Sequence, residues 1–262
     1  NSIRSIVAPG ADAEWRISSM SCAANGRFVR FIGEGTELGA STGNRIAFTT
    51  VPALTDGIIN FAVVENRVAG GPNLGFQFAS LRDPSATVKP FNTLLEVYTA
   101  TTAALTGLAG ITGTHSFGTD FSVSSANRNV RLTGSQALTG ATLANAVLLA
   151  NGSIVVGGGA GNTLTVDSGL LVSNGIGNSI ASSVTTLTLG AEANVFIAED
   201  GDLTISSAIV GAGNTLGKQG TGRLVISGGG NTFSGQTRIN EGVFRAASNT
   251  AFGATAAGIN EI

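Results

Sequence analysis

Along the second half of the chain, apolar residues alternate with polar ones over four to six positions and then stop at Gly, Asn, Asp or Ser. Period-two runs bounded by turn residues predict short β-strands. One set is 153–156 (SIVV), 163–166 (TLTV) and 170–173 (LLVS). A second is 186–189 (TLTL), 195–198 (VFIA) and 203–206 (LTIS), and a third is 224–227 (LVIS), 237–240 (TRIN) and 243–246 (VFRA). The fragments GNTLTV, GDLTIS and GRLVIS share one order, Gly, one or two polar residues, then Leu-x-apolar, and GNTL or GNTF recurs at Gly161, Gly213 and Gly230. This is an imperfect internal repeat. The alternation puts Leu164 with Val166, Leu203 with Ile205 and Leu224 with Ile226 on one face of their strands.

A single short strand does not hold itself together in water. Strands with one apolar face, small residues elsewhere and tight turns need similar neighbours above and below. A coil of about three strands per turn, stacked in parallel, supplies them. At roughly 20–25 residues per turn and about 4.8 Å per rung, the chain would make a rod of about ten turns, near 50 Å long. Stacked Asn162, Asn178, Asn214 and Asn231 are candidates for side-chain ladders.

Helical periodicity is nearly absent; its best instance, 92–104 (NTLLEVYTATTAA), is weakened by threonine. Strand-like runs continue through the first half at 2–7, 15–18, 27–32, 45–49, 58–64 and 129–132. The expected organisation is therefore irregular solenoid turns over 1–128, with longer loops or an excursion near 70–126, and a regular β-helix over 129–262. A compact separate domain within 70–126 is the alternative.

Composition narrows the function. Fourteen Lys and Arg against 16 Asp and Glu leave a formal charge of −2, and charged residues are 11% of the chain. No basic stripe interleaves with aromatics, which argues against nucleic acid. Hydrophobic residues reach 42%, enough to build a core, and the 38 glycines suit repeated corners. No apolar run reaches the length of a membrane-spanning helix. The single cysteine, Cys22, excludes an internal disulfide and a cysteine zinc cage. The chain opens at Asn1 and closes at Ile262 in mid-pattern, as expected of a mature product or an internal segment whose end coils meet further coils.

The run from Gly213 to Ala246 resembles the passenger-associated repeat of bacterial autotransporters. Leu216, Lys218, Gly220, Gly222, Leu224, Ile226, Ser227 and Gly228 carry its first part. Asn231, Thr232, Phe233, Gly235, Thr237, Gly242 and Phe244 carry the second. Gly217 departs from the family's usual polar residue. The resemblance, with weaker echoes over 129–253, implies a right-handed parallel β-helix exposed outside the cell and associated with the outer membrane. It also implies a passenger of adhesin or stalk type.

Candidate chemistry is sparse. The stretch 213–219 (GNTLGKQ) lacks the leading glycine and the hydroxyl residue of a phosphate loop, since Ala212 and Gln219 stand there. In 158–165 (GGAGNTLT), Thr163 occupies the place of a calcium-binding Asp. Glu199, Asp200 and Asp202 form the densest acidic cluster, a weak cation site or a solvated turn. His115 has Ser116 and Asp120 nearby in sequence, but triads assemble from distant segments. A β-helix polysaccharide hydrolase or lyase would need converging carboxylates, and Glu34 with Glu37 or Asp200 with Asp202 are the available pairs; nothing in sequence buries Glu34 or Glu37. Trp15 and Tyr98 are thin material for a sugar platform.

The expectation is an all-β, non-catalytic extracellular module without cofactor or metal: a rod, stalk or fibre of an adhesin-type surface protein. Its partners would be copies of itself or flanking repeats end to end, or a surface glycan or matrix. A β-helix that binds or degrades polysaccharide is the alternative.

Overall fold

The computed structural model describes residues 2–6, 11, 13–21, 28–35, 38, 44–50, 52, 54–67, 73–82, 87–91, 116–190 and 192–254. Among these residues there is no helix. The reading of 92–104 as a helical candidate, along with Cys22, Glu37, Tyr98 and His115, falls outside them. The chain divides into two compact units, one of Asn1–Ala23 with Arg27–Phe117, the other of Gly118–Ile262 with Ala24–Gly26.

In the first unit, strands β1 (Ser2–Ile6), β3 (Val29–Glu34) and β5 (Ala62–Arg67) stack in parallel. Strands β2 (Ala13–Ile17) and β4 (Asn44–Phe48) form a second parallel pair. The chain alternates between the two stacks, as solenoid turns do. Phe31 of β3 meets Phe48 of β4 edge-on, with ring centroids 6.1 Å apart, so the stacks face each other across a core that includes Ile46, Phe61, Val64 and Leu81. The stacking then stops. Strand β6 (Asn73–Arg82) runs antiparallel to β5, and β7 (Thr87–Phe91) runs antiparallel to both β6 and β4. The span expected to hold loops thus begins with a hairpin that pairs with the edge of each stack and makes one sheet of seven strands.

The second unit is a parallel β-solenoid. After β8 (Ser116–Gly118), successive coils place strands on three faces. The first complete coil is β9 (Arg128–Leu132), β10 (Gln136–Leu138) and β11 (Ala141–Ala144). The second is β12 (Ala146–Ala150), β13 (Ile154–Gly157) and β14 (Thr163–Val166). The third is β15 (Leu170–Asn174), β16 (Asn178–Ile180) and β17 (Thr186–Leu189). The fourth is β18 (Glu192–Ile197), β19 (Asp202–Ile205) and β20 (Ala208–Val210). In the fifth, β21 (Thr215–Gln219) and β22 (Arg223–Ile226) occupy the first two faces. The sixth contributes β23 (Thr237–Ile239) and β24 (Val243–Ala246). The strand pairings from β9 to β24 are all parallel.

Register explains the core. Leu164 lies opposite Leu187, and Leu187 opposite Ile209 on the third face. Ile180, Ile205 and Ile226 stack on the second, and Val130, Val147, Leu171 and Val195 on the first. These columns meet in one buried cluster that includes Leu164, Leu203 and Leu224. The period-two alternation is thus the inside–outside alternation of the coil. Between the inward positions, Thr163, Thr165, Thr186 and Thr188 line the outer side of the third face. The first face is buried on its outer side as well, where Leu148, Val172 and Phe196 form a second apolar column. Phe196 is thus buried, as expected of a strand phenylalanine, but it lies outside the solenoid's interior cluster.

The three sets of strands read from sequence are not the coils. Strands 178–180, 208–210 and 215–219 were missing from that grouping, because each carries only a short apolar signal between turn residues. Their pairing partners, not their own composition, make them strands.

Leu187→Ala, which opens a cavity between two neighbouring coils, should cost about 2–5 kcal/mol, while Thr186→Ala on the outer side of the same strand should stay within about 0.5 kcal/mol. Thermal unfolding of the two variants followed by circular dichroism distinguishes them; equal losses would contradict the assigned register.

Candidate functional site

Among the described residues, the cluster of Glu199, Asp200 and Asp202 does not gather into a metal-ligating group. Glu199 and Asp200 are exposed in a turn where Asp200 takes a left-handed φ of 58°. Asp202 lies in the following strand and is engaged in the coil: its Oδ1 accepts from the Gly177 amide at 2.7 Å and its Oδ2 from Arg223 Nη2 at 3.2 Å. It therefore ties three successive coils together on the second face. Asp120 is held by the Ser122 hydroxyl, by the Ser122 amide at 2.9 Å and by Arg128 at 3.1 Å. The Ser122 hydroxyl, then its amide, and more weakly the Arg128 charge hold the Asp120 carboxyl below the usual carboxylate range. No group of three or more metal-ligating side chains occurs among the described residues.

Glu34 corrects the expectation that nothing buries it. It is buried on β3 and ion-paired with Arg4 of the neighbouring strand. Glu65, fully buried on β5, pairs with Arg67 and lies 3.7 Å from Arg30 Nη1. Parallel register puts Arg4, Arg30, Glu34, Glu65 and Arg67 on one side of the sheet, so Arg4 meets Glu34 and Arg30 meets Glu65 across strands, while Arg67 meets Glu65 along β5. Sequence proximity pointed to Glu34 with Glu37, whereas strand pairing gives Glu34 an arginine from 30 residues away.

The more informative site is the corner between the first and second faces. Each coil turns there through glycine, which carries backbone carbonyls out of the regular strands. Buried polar side chains occupy them. In the second coil, Ser153 Oγ donates to Ala150 O at 2.5 Å. In the third, Asn178 Nδ2 reaches Ser173 Oγ at 3.0 Å, Gly175 O at 3.1 Å and Asn174 O at 3.3 Å. At the fifth coil, Lys218 takes this role. Its column runs Val147, Leu171, Val195, Lys218, so register points the lysine inward where the preceding coils have aliphatic residues. The side chain is fully buried, and its ammonium donates to Gly220 O at 2.5 Å, Glu241 O at 2.9 Å and Gln219 O at 3.0 Å. Burial lowers the Lys218 pKa to about 8, with the nearby Glu241 charge opposing the shift. Three carbonyls satisfy all three ammonium donors.

The asparagines do not form the expected ladder. Asn162, Asn178, Asn214 and Asn231 sit at different places around the coil and cap backbone groups. Asn214 donates to Leu189 O, and Asn231 receives the Ile209 amide at 2.7 Å while donating to Gly228 O and Thr250 O.

Lys218 and its corner lie within residues 216–246, which match the passenger-associated-transport-repeat family model. The chain carries a passenger-associated transport repeat. This supports an autotransporter passenger-type protein, and such a repeat implies a surface or extracellular location. No curated protein and no solved structure matches the chain. In the fold, the repeat runs from the first-face strand β21 through β22 and on to β23 and β24. Its inward residues Leu216, Leu224, Ile226 and Phe233 join the interior cluster. Its Gly220 has a left-handed φ of 73°, and a Cβ there would strike Ile197 O. At Gly222 no such φ applies; a Cβ would overlap the Ala198 and Gly201 oxygens of the preceding coil. The glycines of the repeat therefore mark where one coil's backbone rests on the next.

Sequence inspection placed Lys218 in a motif but missed its burial. The signal was present: Leu216 and Lys218 are two apart, so a strand over 215–219 that buries the first also buries the second.

Two outcomes follow. Lys218 binds its proton less tightly folded, near 8, than unfolded, near 10.5, so the unfolded chain holds more protons between these values. The penalty for burying the charge is fully present below pH 8 and is relieved as pH rises. Wild-type stability should therefore gain on that of Lys218→Met between pH 8 and 10.5, read from denaturation midpoints; parallel pH profiles would refute the assignment. Gly222→Ala should destabilise by more than about 1 kcal/mol in thermal melts despite permissive backbone angles, because the added methyl meets backbone that cannot yield.

Proposed function

We propose that the chain is a non-catalytic structural module of an extracellular surface protein of adhesin type, in which the solenoid acts as rod or stalk. The observation that carries this reading is where the chemistry of the second unit goes. The interior columns run from coil to coil, and Asp202, Asn178, Lys218 and Asn231 are spent on backbone and neighbouring side chains of the coil. The passenger-associated transport repeat supports the setting. Further coils of the same polypeptide, or copies stacked end to end, are the proposed partners, since parallel strands present donors and acceptors along the rod axis. A surface glycan or matrix component is the proposed target of the assembled protein.

Negative-stain electron microscopy of the purified chain should show rods, lengthening with concentration if copies stack. Incubation with acidic and neutral polysaccharides should release no new reducing ends. Cleavage that is lost on Asp200→Ala or Glu37→Ala would instead establish the rival reading, a polysaccharide-degrading β-helix.

A further inference from the structure

We infer that Asn151 is a site of spontaneous covalent modification, deamidating through its own backbone at the corner of the second coil. The chain has three Asn–Gly steps, at Asn25, Asn151 and Asn174, and the described residues include the latter two. They occupy the same corner in adjacent coils, since Ala150 pairs with Asn174. Their environments differ. Asn174 closes β15, and its carbonyl accepts from Asn151 N at 3.4 Å and from the buried Asn178 Nδ2 at 3.3 Å. That carbonyl belongs to the Asn174–Gly175 peptide plane, so the plane is held. Gly175 O is held in turn by Asp202 N and Asn178 Nδ2, both at 3.1 Å.

Asn151 is exposed, with a left-handed φ of 58°, and Gly152 follows at 73°. Among the described residues, only the Asn151 amide is engaged; no hydrogen bond reaches its side chain, its carbonyl or the Gly152 amide. The contrast extends to the buried asparagines nearby, since Asn145, Asn162 and Asn178 all have their side-chain amides bonded. The Asn151–Gly152 peptide can therefore rotate, and Gly152 has no side chain to shield its nitrogen.

The chemistry needs only water. The Gly152 amide nitrogen attacks Asn151 Cγ, the N–Cγ bond forms, and the Cγ–Nδ2 bond breaks. Ammonia leaves with the amide proton. Water then opens the five-membered imide at one carbonyl or the other, giving aspartate or isoaspartate. The isoaspartyl product adds a backbone methylene beside Ser153, whose amide donates to Asn178 Oδ1 at 2.9 Å. The change thus falls where the second coil is tied to the third.

The test uses the full chain, folded and then in denaturant, aged at mildly alkaline pH. No Lys or Arg lies between Arg131 and Lys218, so cleavage before Asp167 separates Asn151 from Asn174. Mass spectrometry and enzymatic isoaspartate labelling should show a gain of one mass unit on the Asn151 peptide at least about tenfold faster than on the Asn174 peptide in the folded chain, the rates converging in denaturant. Asn151→Asp, which tolerates left-handed backbone, should abolish the gain. Equal rates in the folded chain, a gain that persists in Asn151→Asp, or no gain would overturn the inference. So would a carbohydrate mass on the peptide, which the Asn151–Gly152–Ser153 acceptor sequence for N-linked sugar permits.

Discussion

Parallel, in-register stacking is the constraint on which the second unit depends. Each coil must present its backbone to the coil before and after it, so a residue's environment is set largely by the residues one turn away. Leu187 is buried because Leu164 and Ile209 lie on either side of it in the sheet. The same condition governs the corners. A coil must leave the regular strand to turn, and the buried carbonyls of that turn still need donors. Ser153, Asn178 and Lys218 answer that need with side chains of increasing reach.

Lys218 shows how far the fold goes to satisfy it. An ammonium in an aliphatic column is unfavourable unless every donor finds a partner. Here the partners come from its own turn and, through Glu241, from the next coil. The lysine thus links the fifth coil to the sixth inside the passenger-associated transport repeat. Its glycines act in the complementary way, removing side chains where backbones touch.

The first unit applies the same parallel stacking and then ends it. Two facing stacks are joined by an antiparallel hairpin that takes up the edges of β5 and β4. An unpaired edge would offer a template to any passing strand, and the hairpin removes that offer on one side. Charges on this sheet are matched across strands instead of gathered for chemistry, with Arg4 beside Glu34 and Arg30 beside Glu65.

Much of this was legible in the chain. Alternation in 163–166, 186–189 and 203–205 marks inward and outward residues by itself, because a strand's side chains alternate whatever it pairs with. Turn residues bound those strands, and the spacing of Leu216, Lys218, Gly220 and Gly222 marks the repeat. Grouping into coils was not legible, nor were the short strands 178–180 and 208–210, because three residues carry no period of their own. The partners of Glu34, the duties of the asparagines and the burial of Lys218 were decided by which coil lies next to which. Local chemistry is written residue by residue, while register is a relation between residues about 20–25 positions apart, and only the folded stack expresses it.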